Sequence, residues 1–242
     1  MRTFTAWAAL LACAAVLSGC GLVGRNQETQ QQDVTQRLTR LTLDLDSGDI
    51  TLRASGDDKV RITRRLHWTT TKPGYTEEWS GDALRVTAKD RCNCSVDYEI
   101  SLPAGTPVEA RTDSGEVTVT DLTGDLRLST DSGDITATNP RSALWAHSDS
   151  GRITATGAQS AKAELSADSG DIRADFTQAP TSLITRADSG TITVTVPRDP
   201  ASYQVEATAS SGEVRVDVTR EPGSPRTIKA TSDSGDVTVR YA

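Results

Sequence analysis

Leu128-Ser129-Thr130-Asp131-Ser132-Gly133-Asp134-Ile135-Thr136-Ala137-Thr138 decides the fold, because its pattern returns along most of the chain. The Ser-Gly pair recurs with glycines at Gly48, Gly115, Gly133, Gly151, Gly170, Gly190, Gly212 and Gly235, the last seven spaced 18, 18, 19, 20, 22 and 23 residues apart. A period of this length marks a solenoid, whose units bury their apolar sides only against their neighbours. Aligned on the glycines, each unit holds two short strands with two-residue alternation. Val117, Ile135, Ile153, Ile172, Ile192, Val214 and Val237 fill one inward column. Val108, Leu126, Leu144, Ala163, Leu183, Val205 and Ile228 fill another on the preceding strand. The expected class is all-β, a β-solenoid with two short strands per coil, and seven coils ~4.8 Å apart make a rod roughly 30 Å long.

The corner has its own chemistry. Asp bonds the backbone two residues on, and Gly takes φ values that other residues avoid. Small residues such as Thr112, Thr130, Ser148 and Ala167 stand nearest the bend. The opposite connection lengthens along the chain, from Asp121–Asp125 to residues 197–204 and 219–227. Length variation confined to one edge of a solenoid often marks a binding face.

The first residues carry an address. An apolar run from Phe4 to Val16 precedes Leu17-Ser18-Gly19-Cys20. This is a secretory signal, too short to span a bilayer as a helix, and it resembles the bacterial lipobox. The resemblance implies cleavage before Cys20, which then carries the lipid. Residues 1–19 are thus expected to be a lipoprotein signal peptide and 20–37 an acylated cysteine with a flexible Gln-rich tether. Residues 38–107 follow as an N-terminal β cap with irregular rungs, and 108–242 as the regular repeats. Loss of residues 1–19 removes only Arg2, leaving 25 basic and 33 acidic side chains, a balance of −8. Such an acidic body argues against nucleic acid as a partner.

Beyond Cys13 and Cys20 only Cys92 and Cys94 remain. In an oxidising exterior they form a local disulfide, stay free or link to a second molecule, or hold a metal.

Glu99-Ile100-Ser101-Leu102-Pro103-Ala104-Gly105, followed by Arg111-Thr112-Asp113-Ser114-Gly115-Glu116-Val117 and Thr123-Gly124-Asp125-Leu126, resembles the DUF4097 family of bacterial surface proteins over roughly residues 40–242. That family is described as "putative adhesins". The resemblance implies a β-solenoid on the outer face of the cell envelope and supplies no catalytic residues.

Three outward features are candidates for function. Asp113, Asp131, Asp149, Asp168 and Asp188 form an acidic column. Neighbouring carboxylates ~4.8 Å apart repel by about 0.9 kcal/mol even at the dielectric of water. Either turn hydrogen bonds and solvent relieve this, or Ca²⁺ binds between coils through oxygen ligands. Trp145, His147 and Ile184, with Arg127 near, read either as a protein or glycan contact or as side chains shielded by their neighbours. A Thr-x-Thr ladder resembles ice-binding surfaces, and Arg173, Asp175 and Arg215 interrupt it. No nucleophile elbow, zinc helix motif or phosphate loop is present.

The expectation is therefore a non-catalytic, adhesin-like lipoprotein. It is extracytoplasmic, anchored to the cell membrane through the Cys20 lipid, needs no cofactor beyond the Ca²⁺ just considered, and meets cell-wall glycan or a surface protein. The alternatives are a carbohydrate-active β-helix enzyme and an accessory of envelope-stress signalling.

Overall fold

The structure, a computed structural model, describes residues 25–89, 92–198 and 202–242. Cys20 and the signal lie outside them. Every element among the described residues is a strand, and the strands form two sheets.

The N-terminal part contributes β1 (Asn26–Val34), β2 (Arg40–Ser47), β3 (Ile50–Ala54), β4 (Val60–Trp68), β5 (Thr76–Ser80), β6 (Ala83–Ala88) and β7 (Cys94–Leu102). Paired strands then follow, each pair joined at a Ser-Gly corner: β8 (Val108–Ser114) with β9 (Val117–Thr120), and β10 (Leu126–Ser132) with β11 (Ile135–Thr138). Next come β12 (Leu144–Ser150) with β13 (Ile153–Ala158), and β14 (Lys162–Ser169) with β15 (Ile172–Phe176). The last three pairs are β16 (Ser182–Ser189) with β17 (Ile192–Val196), β18 (Gln204–Ser211) with β19 (Val214–Asp217), and β20 (Thr227–Ser234) with β21 (Val237–Tyr241). The first member of each pair lies in one sheet, the second in the other, and neighbours run parallel in register. The all-β solenoid expected from the period is what forms.

The inward columns are buried as their alternation requires. Val117, Ile135, Ile172, Ile192 and Val237 are closed to solvent, as are Leu128, Leu165 and Leu183 on the facing sheet. Each strand of 4 to 9 residues is too short to stand alone. Its stability comes from the coil above and the coil below.

The glycine at the corner has a different reason from the one its turn chemistry suggests. Only Gly48, Gly212 and Gly235 among the repeat glycines have φ in the left-handed region, at 132°, 150° and 146°. The others are required by stacking. A Cβ on Gly133 would sit 1.9 Å from the Gly115 carbonyl oxygen, and one on Gly151 would sit 1.9 Å from that of Gly133. The small residues before the corner serve the same contact. Thr112, Thr130, Ser148 and Ser232 donate their hydroxyls to the carbonyls of Gly48, Gly115, Gly133 and Gly190 at 3.0–3.1 Å. They satisfy groups that the tight bend leaves without a strand partner.

Spatial order departs from chain order at both ends. The coil of β2 and β3 lies inside that of β6 and β7, against β8 and β9. At the far end the coil of β20 and β21 lies between that of β16 and β17 and that of β18 and β19. The glycine contacts run the same way, since a Cβ on Gly235 meets the Gly190 carbonyl and one on Gly212 meets that of Gly235. The two long connections, from β17 to β18 and from β19 to β20, therefore lead past a coil and back. Their length follows from topology, where the sequence suggested a binding edge.

The second difference concerns the Gln-rich segment expected as a tether. Asn26–Val34 pairs antiparallel with β4 along nine residues. Val34 packs against the core, and the side chains before it on the same face are polar and find polar partners. Arg64 Nη2 donates to Gln32 at 2.6 Å, Lys72 pairs with Glu28 at 2.7 Å, and the Tyr75 hydroxyl donates to Gln30. The Lys72 hydrogen bond, with help from Gln30, holds the Glu28 carboxyl below its usual range. Beneath this layer Arg64, 4% exposed, makes a two-pronged ion pair with Glu77, and Tyr98 donates to the same carboxylate at 3.2 Å. Burial, reinforced by the Glu77 charge, raises the Tyr98 pKa. β4 and β1 thus extend one sheet antiparallel past β7, and β5 extends the other past β6. The Cys92–Cys94 disulfide, with Cα atoms 5.2 Å apart, lies at the turn leading into β7.

Candidate binding face

The sheet that contains β10, β12, β14 and β16 presents a column of outward side chains in register. Glu109 faces Arg127, Arg127 faces Trp145, Trp145 faces Glu164, and Glu164 faces Ile184. Crossing one rung brings Lys229 beside Ile184. The parallel register alone makes this column, because each residue lies one coil from its counterpart.

Trp145 is half-buried, with the Arg127 guanidinium 3.9 Å from its ring centroid and the His147 ring 5.9 Å away, tilted by 37°. That cation stacks closely enough for an attractive cation–π contact. His147 Nε2 lies 2.9 Å from Asp149, and Arg186 pairs with Glu164 at 3.0 Å. A hollow of about 490 Å³ runs along this face, lined among others by Arg40, Glu109, Arg127, Trp145, Lys162, Glu164 and Ile184. Aromatic, aliphatic, acidic and basic side chains line it together. Trp145 and Ile184 both line it, two coils apart with Glu164 between them, while His147 stands in the adjacent column. Arg40 and Lys162 were not evident from the repeat, since both begin their strands outside the aligned columns.

A second hollow of about 460 Å³ lies nearer the cap on the same face, between Asp44, Lys89, Arg111 and Asp113. Burial disfavours the Lys89 ammonium, but its hydrogen bonds to Asp44 and Asp46 outweigh this and raise its pKa.

The acidic column lies along the Ser-Gly edge. Asp113 and Asp131 meet Arg111 at 3.4 and 3.2 Å, Asp149 meets His147, and Asp168 and Asp188 are exposed. Among the described residues, no group of three or more His, Cys, Asp and Glu is placed to hold a metal ion.

The column one residue past the glycine has a structural task. Asp49 accepts from Glu116 N, Asp134 from Arg152 N, Asp171 from Thr191 N and Asp236 from Glu213 N, all at 2.8–2.9 Å. Every second coil therefore clips the backbone of the next. Arg152 lies between Asp134 and Asp171, at 3.8 and 4.0 Å, which offsets their mutual repulsion.

Comparison with known proteins returns one family and one fold. The sequence model of the family described as Toastrack DUF4097 matches residues 99–242. A "putative adhesin" from Bacteroides fragilis NCTC 9343 is similar with a TM-score of 0.53 and 15% identity, over 89% of this chain and 97% of its own. A "putative lipid binding protein" from Parabacteroides distasonis ATCC 8503 is similar with a TM-score of 0.52 and 13% identity, over 87% and 96%. At such identities the likeness is one of fold. No curated protein matches the chain.

Proposed function

The chain belongs to the DUF4097 (Toastrack) family, and from that premise we propose that it is a non-catalytic, adhesin-like lipoprotein that binds cell-envelope glycan on the Trp145 face. The observation that carries the reading is the hollow in which Trp145, stacked on Arg127, and Ile184, two coils further on, flank Glu164 among other charged side chains. Apolar faces of a sugar ring suit the tryptophan and isoleucine. Hydroxyls suit Glu109, Glu164, Arg127 and Lys162, which offer acceptors and donors at fixed spacing. The name given to the Bacteroides protein of the same fold supports a binding role. The Cys20 lipid would hold the rod at the membrane, on the outer side.

The test incubates the protein with whole cells and with isolated cell-wall glycan, scoring retained protein and released sugar. The expected result is saturable retention without sugar release, weakened about tenfold by Trp145→Ala. Retention on cells alone would assign the face to a surface protein, and released sugar would make the protein an enzyme. Retention unchanged in Trp145→Ala would move the site elsewhere. Separately, Cys20→Ser is expected to release the protein from the membrane fraction.

A further inference from the structure

Among the described residues the coil of β18 and β19 ends the solenoid, and beyond it only the short segment Thr219–Glu221 pairs with it, at Tyr203. Its inward residues show the consequence. Val205, Ala207, Ala209 and Val216 are only partly buried, and Val214 is 43% exposed. Their counterparts one coil in, Ile228, Ala230, Ser232, Val237 and Val239, are fully buried.

The backbone is open in the same direction. Gln204 N donates to Arg226, and Glu213 O accepts from Val237 N, so the even residues of β18 and the odd residues of β19 bond inward to the stack. By the alternation of strands, the N–H and C=O of Val205, Ala207, Ala209, Val214 and Val216 point outward. Two unpaired edges of this kind invite further strands.

We infer that this end pairs with the same end of a second copy of the chain, about one two-fold axis through Ala207 and Val216. These residues lie five before and four after Gly212, on facing sheets, so a single axis serves both. A two-fold lays β18 antiparallel on its copy and β19 antiparallel on its copy. Ala207 then meets Ala207 and Val216 meets Val216, each through outward backbone groups that exchange both hydrogen bonds. The neighbours on β19 decide the occupant. With Val216 at the axis, Arg215 and Asp217, which pair with each other within the chain, stand opposite Asp217 and Arg215 of the copy, so the two pairs close into one ring of alternating charge.

That position is a non-hydrogen-bonded pair, where facing side chains approach most closely. On β18 the same operation sets Glu206 opposite Thr208, so neither strand opposes like charges. The exposed apolar columns of the two copies join into one interior. This surface is separate from the Trp145 face, so the two assignments stand or fall independently.

Sedimentation over a concentration series, with melting temperature as the control for folding, tests the pairing. The protein is expected to show a monomer–dimer equilibrium. Arg215→Asp alone and Asp217→Arg alone each weaken association about tenfold, since each sets like charges face to face. Both together restore it. Ala207→Pro removes an outward N–H and adds a ring at the axis while leaving the bonds to β20, so it abolishes the dimer with the fold kept. A protein monomeric throughout assigns the edge to some other strand and overturns the inference. A dimer indifferent to Arg215→Asp, or one that the double exchange fails to restore, overturns it equally.

Discussion

The two ends of the rod solve one problem in opposite ways. At the N-terminal end, antiparallel β4 and β1 close one sheet and β5 closes the other, over a buried Arg64–Glu77 pair. At the C-terminal end the last coil shows its interior, with Val214 exposed. The contrast teaches that a cap is built from polar chemistry as readily as from apolar burial, because its outer layer must meet water. It also separates an end that is finished from one that can be extended.

The contrast breaks most severely at the cap. Glu77→Ala would leave the Arg64 guanidinium buried without its counter-charge, and a loss of about 3–5 kcal/mol in denaturant unfolding is expected. Replacing both residues by apolar ones of similar size should recover much of it.

The next effect compares the rod's middle with its open end. Gly133→Ala sets a methyl 1.9 Å from the Gly115 carbonyl between coils held on both sides. About 3 kcal/mol of destabilisation is expected, the upper end of overpacking. Gly212→Ala makes a contact of 2.3 Å on a coil held on one side only, which can shift outward, but its φ of 150° adds backbone strain that Gly133 escapes. About 2 kcal/mol is expected there, read in the same unfolding experiment.

The smallest effect lies beneath the crossing at the open end. Tyr203 is fully buried and its hydroxyl has no hydrogen-bond partner among the described residues, so Tyr203→Phe should be neutral or stabilising by up to about 1 kcal/mol at pH 7. Burial pushes its pKa from 10.0 up to about 12. The neutral form is thus favoured in the folded state. This contribution to stability is complete below pH 10 and is lost as pH rises toward 12, because the unfolded chain ionises first. Unfolding measured across that window should fall less steeply for Tyr203→Phe than for the parent protein.

The columns of Val117, Ile135 and Ile153 were legible because a period of two fixes which face is buried. Stacking order was not, because Val205 and Ile228 fit the same column and either coil could lie next to Leu183. One signal does carry it. In spatial order the residues after the glycine read Asp49, Glu116, Asp134, Arg152, Asp171, Thr191, Asp236, Glu213, with aspartate at every second coil. In chain order Glu213 precedes Asp236 and the alternation fails. β1 was hidden because Glu28, Gln30 and Gln32 have no apolar rhythm, and their partners Lys72, Tyr75 and Arg64 come more than 30 residues later. The Arg127–Trp145 contact could be found by adding one period, whereas Arg40 and Lys162 required the three-dimensional hollow.

The inserted coil of β20 and β21 bears on how the chain is made. Synthesis delivers β18 and β19 first, while the coil they will rest on does not yet exist. The face of β16 and β17 then stays vacant until residues 227–242 arrive and enter between the two coils. The closing step is thus long-range, and such steps are slow. Most solenoids can be shortened by whole repeats from an end. Here a chain cut after Arg220 would lose a middle tier, and its outermost coil would be left with no neighbour to rest on.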